Sequence, residues 1–144
     1  TRDGMKTHQQ SIVIATPGRG LHDVTREVAA VVAKSGVVTG LVHVFLKHTS
    51  ASLVIRENAD PSVLRDLGAF IDELAPESRA WEHDDEGPDD MPAHARAAVT
   101  KTSETIPITG GAMALGTWQA LYLWEHRRRA YQRTLVVTVQ GDGA

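Results

Sequence analysis

An α+β fold with a largely antiparallel sheet is what this sequence predicts, and three observations carry the prediction. The chain has 144 residues of which 42% are apolar, enough for one core and so for one domain over 1–144. Its two long helical periodicities fall in the first half, around Val24–Val32 and Leu64–Leu74, while the later chain reads mostly as strand. Segregated helices and strands argue against alternating βαβ units and a parallel sheet.

Residues 1–7 read as a disordered lead, with Met5 a candidate natural start. His8 to Thr16 has a strand-like apolar centre at Ile12 to Ala15, and Pro17, Gly18 and Gly20 make a turn. Asp23 or Thr25 can cap a helix whose apolar face is Val24, Val28, Val31 and Val32, and Gly36 stops it. Over Gly40 to Lys47, Leu41, His43, Phe45 and Lys47 alternate with Val42, Val44 and Leu46, the period of a strand. Ala51 to Ile55 is a second short strand. Asp60 as cap and Pro61 at the first helical position open a helix with the stripe Leu64, Leu67, Phe70, Ile71 and Leu74, and Pro76 ends it. Pro92 opens a short helix carrying His94 and reaching Val99. Ser103 to Ile108 reads as strand and Gly110-Gly111 as a turn. Ala112 to Trp124 is strand interrupted at Gly116–Gln119, and Leu135 to Val139 is the last strand.

Composition narrows the function classes. Fifteen basic against eighteen acidic residues give a net charge of -3, with no nucleic-acid signature. The absence of cysteine removes disulfides, thiolate metal sites and cysteine nucleophiles, so any metal must take nitrogen and oxygen ligands. No apolar run approaches a membrane span and no secretory leader is recognisable, which makes the cytoplasm the default location. Walker A, GxGxxG and GxSxG patterns are all missing.

The chemistry-bearing residues concentrate in His83–His94, HDDEGPDDMPAH, where five acidic residues, two prolines and a glycine lie between two histidines. Such a loop is either a solvated acidic linker or a folded cation site, and Gly87-Pro88 and Met91-Pro92 impose specific turns on it. His48 opens a second polar run, HTSAS, at the end of a strand. It can ligate a metal, move a proton or hold phosphate beside Thr49 and Ser50, or it is a polar terminus whose hydroxyls cap a turn. Three imidazoles, His48, His83 and His94, match a catalytic zinc set, with Glu86 or Asp90 assisting the metal or a proton transfer. Imidazole suits zinc first, while the carboxylates also tolerate magnesium or manganese. Arg96 and Arg128 are candidates for a phosphorylated ligand, and Arg127 to Arg129 can simply balance the acidic loop. Trp118 is either core or a stacking wall. His8, His22 and His43 have no acidic cluster in their local sequence.

Three segments carry a resemblance to a known family: HTSAS with ENADP at 57–61, the HDDEGPDDMPAH loop, and GAMALGTWQALYLWEHR at 111–127. From Gly20 to Gly141 the chain resembles the YjbQ-like family, uncharacterised protein family UPF0047. The resemblance implies a single-domain, largely antiparallel β-sandwich with two main helices, and a homotrimer. It also implies that His48, His83 and His94 are metal ligands. The activity it implies is secondary thiamine-phosphate synthesis, a transfer that joins a pyrimidine pyrophosphate to a thiazole phosphate and releases pyrophosphate. Two alternatives stand beside it: a metal-dependent hydrolase of a small phosphorylated or ester substrate, and a non-enzymatic trimeric protein that binds a metal or metabolite.

Overall fold

The structure, a computed structural model, describes residues 4–143. Its elements run β1 (Lys6–Thr16), β2 (Gly20–Asp23), α1 (Thr25–Ser35), β3 (Thr39–Leu46), β4 (Ala51–Glu57), α2 (Pro61–Leu74), α3 (Asp90–Ala98), β5 (Ser103–Thr109), β6 (Ala112–Met113), β7 (Gln119–Glu125) and β8 (Tyr131–Asp142). Two antiparallel sheets result, a five-stranded one ordered β1-β8-β3-β5-β6 and a three-stranded one ordered β2-β7-β4. The α+β class and the antiparallel pairing are as the sequence predicts.

Alternation decides which face each strand buries. In β3, Val42, Val44 and Leu46 are buried, while Leu41 and Phe45 stay exposed on the outer face. The buried row joins Leu135, Val137 and Val139 of β8, Ile106 and Ile108 of β5, Leu53 of β4, and Leu121 and Leu123 of β7 in one core. Helix α1 adds Val28, Val31 and Val32 to it and ends at Gly36, whose φ of 74° is the left-handed conformation a glycine adopts without penalty. Valines are mediocre helix formers, so this burial, worth roughly 1.5–3 kcal/mol for each, holds α1 in place. Asp23 Oδ1 accepts the Thr25 N–H at the helix start, while Val24 occupies the cap position.

The sequence predictions need three corrections. Lys6 and Thr7 are not part of a disordered lead; they pair with Gly141 and Gln140 of β8 and begin β1, while residues 1–3 of that lead lie outside the described residues. Strand β8 runs well past Leu135–Val139 at both ends because β1 pairs with it from Tyr131 to Gly141 and β3 from Leu135 to Asp142. Gly20–Asp23 is a short strand on β7.

Where Gly40 of β3 pairs with Gly141 of β8, the backbones come too close for a side chain. A Cβ on Gly40 would lie 2.1 Å from the Gln140 carbonyl oxygen and 2.7 Å from Gly141 Cα. Gly40→Ala must therefore push two central strands apart. The expected loss is about 2–3 kcal/mol, read as a lower urea midpoint; an unchanged midpoint would show the ladder can slide.

Helix α2 starts as predicted, with Asp60 Oδ1 accepting the Ser62 N–H and Pro61 in the first turn. Its apolar stripe is only partly covered: Ile71 is buried, but Phe70 is 59% and Leu74 53% exposed. Among the described residues, no helix is long and apolar enough to cross a membrane.

Candidate metal centre

The loop between α2 and α3 folds back so that its His83 meets the carboxylate of Asp90 and the ring of His94 on α3. Gly87, at φ 99°, makes the turn, and Asp89 occupies the cap position of α3. Asp90 and His94 are four residues apart on that helix, hence on one face. Asp90 Oδ2 lies 2.6 Å from His83 Nε2 and 3.3 Å from His94 Nε2, and the two rings meet edge to face with centroids 5.7 Å apart. One ligand atom from each of His83, Asp90 and His94 falls within 4.8 Å of the others. Glu86 Oε2 stands 3.2 Å from His83 Nε2, on the solvent side.

Asp90 is the anion at the centre of this cluster. Asp90 is buried, which alone would raise its pKa. Hydrogen bonding with His83 and Glu86, and the charges of Arg127 and His94, outweigh that and hold it below the ordinary carboxylate range. The hydrogen bond to Asp90 raises His83 above the ordinary imidazole range against a smaller opposing effect of burial. Two imidazole nitrogens and a carboxylate oxygen fit a divalent ion, zinc in particular, with remaining positions for water or substrate.

Arg127 holds Asp90 from behind. Its Nη1 donates to Asp90 Oδ1 at 2.6 Å, its Nε to Asp89 Oδ2 at 3.1 Å and its Nη2 to the Glu86 carbonyl at 3.2 Å. The Arg128 backbone N–H also donates to Asp89 Oδ2, at 2.9 Å. With burial opposing, these bonds depress the Asp89 pKa.

None of the other predicted site residues is among the three ligand groups of this cluster. His48 sits between β3 and β4, where its Nε2 accepts the Thr134 N–H at 2.9 Å. An accepting Nε2 puts the proton of the neutral ring on Nδ1, so His48 presents an N–H donor in this arrangement. Burial, and then the nearby Arg133, depress its pKa and favour the neutral form. The group that the described residues bring together is thus His83, Asp90 and His94, without His48. Ser50 is buried and its Oγ accepts from Arg133 Nη2, while Thr49 beside it is exposed. Arg96 is 2% exposed and donates through Nη2 to the Ala75 carbonyl, tying α3 to the end of α2. Arg128 is exposed and pairs with Glu77. Trp118 is 65% exposed and lines an open groove with Glu57, Asp60 and Pro61, so it is a surface side chain and not core.

Sequence reasoning missed Trp81, two residues before His83. A groove of about 610 Å³ runs past His83 between Trp81, Asp84, Asp85 and Met91, and Arg79 lies over the Trp81 ring at 5.0 Å. The adjacency Trp81-Glu82-His83 was the available signal.

The sequence model described as UPF0047 protein YjbQ-like matches residues 10–142. A UPF0047 protein of Synechocystis is 56% identical over 138 residues, covering 95% of this chain and 94% of its own length. YjbQ of Salmonella typhimurium is 40% identical, over 94% of this chain and 99% of its own. Among solved structures, a YbjQ-like protein of unknown function from Sulfolobus solfataricus superposes with a TM-score of 0.89 at 28% identity, covering 96% of this chain and 100% of that one. A hypothetical protein from Aeropyrum pernix gives 0.85 at 30% identity, covering 94% and 99%. With the match running through both sheets and the acidic loop, the chain belongs to the UPF0047, YjbQ-like family.

Proposed function

We propose that this chain is a metal-dependent enzyme acting on a phosphorylated small molecule, with His83, Asp90 and His94 as the ligands of a divalent ion. The observation that carries this reading is the convergence of those three side chains at the edge of the groove beside Trp81. Zinc is the first choice for the donor set, with magnesium or manganese as alternatives. When bound, the ion supplies positive charge against phosphate oxygens. Glu86, open to solvent beside His83, can carry a proton to or from the groove. Trp81 offers a flat apolar wall for a ring. Arg128, exposed next to the acidic loop, and Thr49 remain the proposed phosphate contacts. His48 contributes its Nδ1–H as a hydrogen-bond donor.

The finer assignment is secondary thiamine-phosphate synthesis, as the family resemblance implies. Hydrolysis of a phosphoester is the second reading, favoured by the open Glu86 carboxylate next to the proposed ligands. A homotrimer is part of the proposal, supported by the uncovered stripe of Phe70 and Leu74 on α2.

The test is elemental analysis of the untagged protein, paired with assays with and without chelator. About one divalent ion per chain is expected, with most of it lost in His83→Ala and His94→Ala while the circular dichroism spectrum is kept. Metal-dependent product from the pyrimidine pyrophosphate and thiazole phosphate supports synthesis; hydrolysis that disappears in His48→Ala supports the second reading. Unchanged metal content in both histidine variants sinks the site.

A further inference from the structure

We propose that Arg127 is the positioning residue that sets the cation affinity of the His83–Asp90–His94 site, an inference that rests on the metal reading above. Arg127 has only 12% of its side chain exposed, and its three guanidinium nitrogens reach three different residues of the loop: Asp89, Asp90 and the Glu86 carbonyl. A planar guanidinium has fixed angles between its N–H groups, so these contacts fix the loop's three points relative to one another. With Oδ1 of Asp90 taken by Nη1, Oδ2 is the oxygen turned toward both imidazoles. The terminal torsion of a free carboxylate is broad, and the clamp narrows it.

The clamp is itself anchored in the core. The Arg127 backbone N–H donates to Glu125 Oε2 at 3.1 Å, and Glu125 is buried in an ion pair with Arg133. The Arg127 guanidinium also lies over the Tyr131 ring, 5.5 Å from its centroid. A continuous set of contacts thus runs from the buried Glu125–Arg133 pair, through Arg127, to the Asp90 oxygen that faces the proposed ion.

Positioning and simple charge balance predict opposite signs. A guanidinium in contact with a metal ligand repels the incoming cation, so on charge alone its removal tightens binding. If its role is to orient Asp90, removal loosens binding despite the lost repulsion. Lysine keeps the charge but lacks the fork, which separates the two accounts further.

The experiment is a Zn²⁺ titration by competition with a chromophoric chelator, on the wild type, His83→Ala, Arg127→Lys and Arg127→Gln. Each variant's melting temperature is recorded to confirm folding, and the two Arg127 variants keep the test open if one misfolds. Both are expected to bind Zn²⁺ about 10- to 100-fold more weakly than the wild type. Affinity that rises in Arg127→Gln, or stays at the wild-type value in Arg127→Lys, overturns the positioning role while leaving the metal site standing. Zinc binding that is absent from the wild type, or unaffected by His83→Ala, removes the metal reading and this inference with it.

Discussion

Arg133→Met is expected to destabilise the fold by about 3–5 kcal/mol, because it leaves a carboxylate stranded in the core. Glu125 ends β7 with 1% of its surface exposed, and Arg133 of β8 has 3%. The guanidinium grips both carboxylate oxygens, Nε to Oε1 at 2.7 Å and Nη2 to Oε2 at 2.5 Å. Thr16 adds a hydroxyl to Oε1 at 2.6 Å, and the Arg127 N–H completes the set. Burial by itself would raise the Glu125 pKa, but Arg133, Thr16 and the Arg127 amide together keep it low, so the group is an anion in the folded chain. Methionine fills much of the arginine stem's volume and removes only the charge and the fork. The carboxylate must then stay charged without its partner or take up a proton, and both are unfavourable. The double variant Glu125→Gln with Arg133→Met removes both charges and is expected to be less destabilised than the sum of the single changes. Urea unfolding of all three variants measures this cycle. Additive losses would mean that the two side chains do not act as a pair.

The buried pair also marks the limit of what the sequence could tell. Glu125 and Arg133 are eight residues apart, and only the β7-to-β8 turn points both inward. Local signals were legible where local chemistry decides the structure. Asp60-Pro61 starts α2, Gly36 ends α1, and Gly110-Gly111 joins β5 to β6. The acidic loop was legible as a folded candidate site because its prolines and glycine impose turns and its two histidines bracket it. Asp90 and His94 share a helix face because α3 starts at Asp90, two residues before the predicted start at Pro92. The arginine partner of Asp90 was not legible, since the choice among Arg96, Arg127, Arg128 and Arg129 depends on how β7 ends against α3. Arg96, attractive as a phosphate contact in sequence, is enclosed because it lies on the buried side of α3. The position of His48 depends on the crossing of β3 and β8, which brings the Thr134 amide to its Nε2. Strand β2 was hidden because four residues rich in turn formers gain strand structure only by pairing with β7.

Stability is expected to fall steadily as pH drops below 6.5, and His126 is the main cause in the window down to about 4.5. Its imidazole is 1% exposed, hydrogen bonds to Ser52 Oγ at 2.9 Å and packs beside Trp124. Burial first, and then the charges of Arg96, Arg19 and Arg133, lower its pKa from 6.5 to about 3. The unfolded chain therefore takes up this proton below pH 6.5 while the folded chain does not, and the unfolded state gains on acidification. One proton of difference corresponds to about 1.4 kcal/mol for each pH unit. His48, also lowered by burial, acts in the same direction. Glu125, Asp89 and Asp90 add to the loss only at more acid pH, where their depressed carboxylates are protonated. His83 runs the other way: its raised pKa stabilises the fold below pH 6.5, and that contribution is lost as pH rises through the folded value. It is solvent-exposed and weakly coupled to unfolding, so it blunts the trend without reversing it. His126→Gln keeps a polar group next to Ser52 and cannot titrate. Urea unfolding at pH 7.0, 6.0 and 5.0, in chelator so that metal binding does not contribute, is expected to show a marked decline in the wild type and a much flatter profile in the variant. A variant with the wild-type slope would mean that His126 takes up its proton without unfolding, through water reaching the cavity it shares with Arg19 and Asp72.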